Sequence, residues 1–374
     1  KVNTINAATS GQAVAVDVKN PRSFRNLIIN GAMNVAQRGT SSTTTSDYTC
    51  DRFRVSWSGA DEALTHSQHT LTSSDTGPWE KGFRKSLHIT NGNQTGGADA
   101  GDSSSWNYRV EGQDIVNSGW ISTDSDSKIT LSFWVKSSVA QNFYALIYTD
   151  DSPNYAYVIE TGSLTADTWT KIEKTIPGNS NLAIANDNGN GLEIDFQFFR
   201  GTNTTGTVTL NQWAAFNSSA RTPNQTSTWW TTNDATIEFT GVQLEVGSYA
   251  TDFEHRSYGD ELARCQRYCY KVADGAAVTL GTGVMYTSSV MQGMIQYPVT
   301  MRTTPTISAT TGTNYYEFIR DGGTDWFNEL LIDNRTSPHI AEITNDSQVS
   351  GTVGHGGYIR TDNSAVKVIF NAEL

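Results

Sequence analysis

The sequence predicts an all-β protein: a jelly-roll β-sandwich followed by a short helix and a second, smaller β-sandwich domain. Three observations predict it. Apolar and polar residues alternate at period two over many short runs, the pattern of antiparallel sheets with one buried face. The 374-residue chain holds 32 Gly but only 8 Pro and 5 Met, and only 17% of its residues are charged. Ser, Thr, Asn and Gly fill that deficit, a composition suited to strands joined by polar turns. The 10 Trp, 15 Tyr and 14 Phe supply the bulk for a core and argue against disorder.

Taken in order, residues 1–25 are polar except for one alternating run, Ala13 to Val18. This segment is too small to bury a core alone and reads as an N-terminal attachment segment. Phe53, Val55 and Trp57 alternate with Arg52, Arg54 and Ser56, Leu87 and Ile89 mark another strand, and Ile129, Leu131, Phe133 and Val135 a third. Leu192, Ile194, Phe196 and Phe198 alternate with Glu193, Asp195 and Gln197. Between them, Asn91–Ser105 and Asn186–Gly191 are rich in turn formers.

From Ala235 to Gly247 the alternation changes phase: Ile237 and Phe239 are odd, while Val242, Leu244 and Val246 are even. A one-residue slip turns every side chain to the other face, so a β-bulge is expected across Thr240, Gly241 and Val242. Two separate short strands meeting at a turn is the alternative. Next, Ser257 caps a helix with Asp260 three residues on, a variant of the capping box. Tyr258, Leu262, Cys265 and Cys269 form its apolar stripe, and it is expected to run to about Tyr270. Strand character resumes at Val284 and Tyr286, at Met291–Val299, and at Val366, Val368 and Phe370. The organisation read is therefore 1–25 attachment segment, 26–256 jelly roll, 257–270 linking helix and 271–374 C-terminal β domain.

Six segments, in this order, resemble a module of bacteriophage tail-fibre and other virion proteins. They are Asn26–Met33 with Ala36–Gly39, Tyr48–Phe53 (YTCDRF), Leu131–Lys136 (LSFWVK), Trp169–Pro177 (WTKIEKTIP), Gly241–Gly247 continuing to Phe253–Arg256, and Glu261–Tyr268. The terminal Asn371–Leu374 (NAEL) looks like the continuation found in phage proteins. The set is similar to a carbohydrate-binding-module jelly roll. The resemblance implies a virion-surface protein of tail or capsid, made in the host cytoplasm and assembled as a homo-oligomer, with a trimer expected by analogy with fibres. The implied partners are other virion proteins, through the N-terminal segment, and a host-surface polysaccharide.

The function expected is recognition of host-surface glycan. The alternative is a structural role, as a capsid decoration, head fibre or tail adaptor without receptor binding. A net charge of −12 leaves no electrostatic footprint for nucleic acid. No run of about 18 apolar residues exists to cross a membrane, and no signal peptide is visible. The chain is not expected to be an enzyme. Adjacent Asp150 and Asp151 read as a solvated turn rather than as a glycosidase pair, and neither a G-x-S-x-G elbow nor an H-E-x-x-H motif occurs.

Sugar rings stack on aromatic faces while polar side chains bond the hydroxyls. The candidates are therefore aromatics in polar company: Trp106 and Tyr108 after a Gly/Asp/Ser stretch, Trp134 opposite the apolar face of its strand, and Trp229 and Trp230 in a Thr/Asn/Gln-rich segment. Core or interface packing is the competing reading of each. His66 and His69 read as a polar loop lacking a third metal ligand. Cys50, Cys265 and Cys269 read as small buried hydrophobes. No cofactor is expected; the resemblance implies at most a structural calcium on loop Asp and Asn oxygens, and no EF-hand spacing is present.

Overall fold

The computed structural model describes residues 25–374; apart from Arg25, the expected attachment segment lies outside the described residues. The first domain is built from β1 (Ser41–Ser42), β2 (Arg54–Ser58), β3 (Thr65–Thr70), β4 (Lys85–Thr90), β5 (Ser103–Glu111), β6 (Lys128–Ser137), β7 (Asn142–Tyr148), β8 (Tyr155–Ser163), β9 (Thr170–Pro177), β10 (Asn190–Arg200), β11 (Trp213–Ala215) and β12 (Thr236–Val246). They form two six-stranded sheets, β1-β3-β4-β12-β6-β9 and β11-β8-β7-β10-β5-β2. The chain crosses repeatedly between the sheets, which gives a jelly-roll sandwich.

The alternating runs supply its interior. Ile129, Leu131, Phe133 and Val135 of β6 face Trp106, Tyr108 and Val110 of β5 and Leu192, Ile194, Phe196 and Phe198 of β10 across one buried core. Phe196 is its aromatic hub. It stacks on Trp106 at 5.8 Å between ring centroids and meets Phe239 edge-on at 4.7 Å, geometries that aromatic quadrupoles favour.

The expected bulge is present within one continuous β12. Its pairing with β6 shifts between Thr240 and Gln243, and Gly241 has φ +65°. A Cβ there would lie 2.6 Å from the Phe83 ring and 3.1 Å from Trp134, so glycine is required both by conformation and by space.

The linking helix runs over Tyr258–Gln266, with the Ser257 hydroxyl accepting from the Asp260 N–H at 3.2 Å. It is shorter than the sequence suggests. Cys269 opens the next strand, so Cys265 and Cys269 do not share a helix face, although both are buried free thiols. The second domain comprises β13 (Cys269–Asp274), β14 (Thr279–Met285), β15 (Met291–Gln296), β16 (Thr306–Ala309), β17 (Tyr316–Arg320), β18 (Gly323–Phe327), β19 (Leu331–Ile332), β20 (Ile340–Asn345), β21 (Gly356–Thr361) and β22 (Lys367–Asn371). A three-stranded sheet, β13-β22-β16, and a seven-stranded sheet, β18-β17-β21-β14-β15-β20-β19, enclose a second core. The strand expected at Val284 is β14, which buries Leu280 and Met285 and leaves Val284 exposed; Tyr286 follows its end, also exposed.

A polar seam joins the domains. Arg52 of the sandwich pairs with Glu373, donates to the Arg109 carbonyl at 2.6 Å and lies 3.5 Å over the Tyr268 ring. Glu111 accepts two hydrogen bonds from Arg267 at 2.7 Å and one from the Tyr268 hydroxyl. Arg302 of the second domain donates to the carbonyls of Asn188, Ala372 and Glu373. Three of the segments that carry the phage resemblance, YTCDRF, ELARCQRY and NAEL, meet here.

Candidate functional site: a polar groove on the outer face of the sandwich

The structure places Trp106, Tyr108, Trp229 and Trp230 inside the core, each no more than 1% exposed. They have no face on which a sugar could stack, and the expectation for these four is corrected. Trp106 and Tyr108 sit on the inward positions of β5. Trp229 and Trp230 lie in a single helical turn, Thr228–Thr231. Their indole N–H groups donate to the Thr236 and Gly97 carbonyls, respectively, at 3.1 Å, which makes burial of the polar edge tolerable. The Asn91 amide bonds the carbonyls of both residues from below.

Trp134 alone of the five faces outward. It lines a groove of about 320 Å³ with Phe83, Phe253, His255 and Lys171 on the outer face of the first sheet. Part of its ring is already covered, since a Cβ on Gly77 would lie 2.8 Å from it. It packs in a small apolar cluster with Phe83, Trp79, Trp169 and Phe253.

The second sheet carries a different groove, of about 370 Å³ and almost wholly polar. Sheet register builds it. Across β10 and β5, Glu193 stands opposite Arg109, Asp195 opposite Asn107, and Gln197 opposite Ser105. Tyr148 of β7 stands opposite Glu193, and Ser56 of β2 opposite Ser105. Because these are the alternate positions to the core residues, all project outward. Tyr148 lies at one rim; at the other, on β2, the Trp57 ring turns inward, packing against the core and meeting His66 edge-on at 6.1 Å. The Tyr148 ring stacks on Phe216 at 5.3 Å. Arg200 and Arg221 complete the lining.

The floor is unusually dry for such polar groups: Glu193 and Asp195 are each only 2% exposed. Burial pushes both carboxyls above their ordinary pKa, against the pull of Arg109 on Glu193 and of Arg200 on Asp195. Arg109 donates to Glu193 Oε2 at 2.7 Å, and Arg200 Nη2 lies 3.6 Å from Asp195 Oδ2. Two floor acceptors, Asp195 Oδ1 and Asn107 Oδ1, make no well-formed hydrogen bond among the described residues, although Ser105 and Gln197 stand close enough to Asp195 to favour its charged form; Arg221 Nε at the wall is likewise without one. Buried polar atoms are almost always paired, which makes this floor a candidate binding surface.

A third cleft, of about 480 Å³, lies beside the linking helix. Its Arg256 and Arg267 are paired with Glu254 and Glu111. At the Asp150–Asp151 turn, Asp150 is exposed, whereas Asp151 accepts from the Ala185 N–H at 2.8 Å.

His66 and His69 lie on β3, not in a loop. His66 is buried, 3.0 Å from the Thr49 hydroxyl. His69 joins His88 and Glu238 in the one group of three metal-binding side chains among the described residues. That nitrogen-rich set does not suit calcium, which takes oxygen ligands. No described helix is long and apolar enough to cross a membrane.

No family model matches the chain, and no curated protein matches it. Solved structures do. The enzymatically active domain of tailspike protein 4 of bacteriophage CBA120 is 12% identical over 60% of this chain, with a TM-score of 0.32. The N-terminal cellulose-binding domain of β-1,4-glucanase C from Cellulomonas fimi is 12% identical over 57% of this chain and 98% of its own, at 0.27. TmCBM61, in complex with β-1,4-galactotriose, is 11% identical over 60% of this chain and 99% of its own, at 0.29. The chain spans 22% of the length of the tailspike chain. Likenesses this distant carry no function across.

Proposed function

We propose that the chain is a non-enzymatic, fibre- or spike-type component of a phage virion that binds host-surface glycan in the polar groove of the second sheet. One observation carries the binding reading: the buried floor acceptors Asp195 Oδ1 and Asn107 Oδ1 make no well-formed hydrogen bond among the described residues and lie beneath a groove bordered by Tyr148. The groove lies on a rigid sheet, which fixes the acceptors in place without an ordering cost on binding. The virion assignment rests on the ordered segments and their resemblance to phage proteins.

Hydrolysis is not part of this reading. Glu193 and Asp195 share one face two residues apart, but each faces a guanidinium, Arg109 and Arg200 respectively. A general acid and a general base both need freedom to exchange a proton with substrate. A groove of this size suits a weak site, and linking weak sites in an oligomer raises avidity by ~10²–10⁴. The expected homo-oligomer would supply that gain.

The test is adsorption competition. Host cells incubated with purified protein should lose phage adsorption in a dose-dependent way, and the Asp195→Ala protein should fail to compete. Undiminished adsorption with correctly assembled wild-type protein would move the chain to a decoration or adaptor role.

A further inference from the structure

On the outer face of the opposite sheet, three adjacent strands bring together nitrogen and oxygen donors that the groove does not use. His88 of β4 stands directly opposite Glu238 of β12, and His69 of β3 is one step away, opposite Ser86. The Nδ1 atoms of the two rings face the two oxygens of one carboxylate, His69 to Oε2 at 3.1 Å and His88 to Oε1 at 3.3 Å. All three donor atoms lie within 4.8 Å of one another.

We infer that His69, His88 and Glu238 form a binding site for a divalent transition metal of the zinc type. Zinc bonds to imidazole nitrogen and carboxylate oxygen are about 2.0–2.2 Å, so ligands of a tetrahedral site stand roughly 3.3 Å apart. Each ring nitrogen already stands at about that spacing from one of the two Glu238 oxygens, and with a single Glu238 oxygen as ligand the three donors lie within 4.8 Å of one another. The remaining separation closes by rotation of the His69 ring, whose side chain is 49% exposed. Two imidazoles and one carboxylate are the donors that suit zinc, nickel and copper rather than calcium.

The supporting contacts are those of an oriented ligand set. The Ser86 hydroxyl donates to Glu238 Oε2 at 2.7 Å, and the other His88 nitrogen lies 3.1 Å from the Thr90 hydroxyl. Such outer contacts fix the ring and carboxylate directions that a metal needs. His88 Nδ1 is buried without a well-formed hydrogen bond. Glu238 is only 3% exposed, whereas His69 opens to solvent, so three protein ligands would leave one position accessible from outside.

Lys136 is the opposing charge. Its ammonium is 2.9 Å from Glu238 Oε1 and 3.1 Å from Asp75 Oδ1. A bound dication would compete with it for Glu238, and Asp75 remains available to hold it. The Lys136→Met protein should therefore bind metal more tightly than wild type.

The test is titration calorimetry of the full chain with zinc chloride. One saturable site per chain is expected, weakened at least tenfold in His69→Ala, which alters only a half-exposed side chain. His255→Ala, on a separate histidine, should leave binding unchanged. Absence of a saturable site, or equal affinity in wild type and His69→Ala with both folded by circular dichroism, would overturn the assignment. Glycan binding in the opposite groove should be unaffected by His69→Ala, so failure of one site is separable from failure of the other.

Discussion

At the scale of single residues, the decisive distinction is which way an aromatic or polar side chain leaves its strand. Trp106 and Asn107 are neighbours in sequence, yet one fills the core and the other floors the groove. Trp106→Ala is expected to cost about 3–5 kcal/mol of stability, the usual cost of emptying a large aromatic site, read as a fall in urea midpoint. The Asp195→Ala protein should keep its fold and lose groove binding by tenfold or more, about 1.4 kcal/mol. The groove was partly legible. Ser105-Trp106-Asn107-Tyr108-Arg109-Val110 is a strict alternation, and it assigns Trp106 and Tyr108 to the side of Val110. The polar set Glu193, Asp195 and Gln197 was visible as the wet face of its own strand. Their meeting with Asn107 and Arg109 was not, because that depends on the pairing of β5 with β10 across more than eighty residues of chain.

At the scale of elements, local patterns read well where one residue type has one physical explanation. The phase change at Gly241 could be resolved only by a bulge or a break, and the continuous β12 shows the bulge. Gly241→Ala should destabilise the sandwich by about 1–3 kcal/mol, since positive φ and the Phe83 ring both resist a Cβ; thermal unfolding measures it. The Ser257 cap was equally readable. The helix end was not, because the apolar spacing that suggested continuation past Gln266 is satisfied instead by the turn into β13, where Tyr268 and Cys269 are buried. His69 looked like a loop residue because β3 has few apolar side chains. Its sheet is recognisable only through pairing with β4.

At the scale of the whole molecule, three of the segments that resemble phage proteins, YTCDRF, ELARCQRY and NAEL, meet at the seam between the two domains rather than in the groove. Arg52, Glu111, Tyr268 and Glu373 are buried there with their charges matched. Removing one partner of such a set strands the other, so Arg52→Ala should cost about 3–5 kcal/mol and should split a single calorimetric transition into two. Despite burial, which acts the other way, Arg267 and Tyr268 hold the Glu111 carboxyl below its ordinary pKa. Its stabilising contribution is complete above the unfolded value and is lost as pH falls through the lower, folded value. Asp51, raised by burial, contributes with the opposite sign, so the comparison of Glu111→Gln with wild type isolates the seam: the mutant should show a shallower loss of urea midpoint below about pH 4.5. The second sheet, rather than the first, is the face proposed to hold glycan. An array of immobilised bacterial surface glycans, probed in parallel with wild type, Asp195→Ala and Trp134→Ala, tests it most directly. The expected result is binding to a defined subset of glycans, lost in Asp195→Ala and kept in Trp134→Ala. Binding that survives Asp195→Ala but disappears in Trp134→Ala would contradict it and move the site to the opposite face.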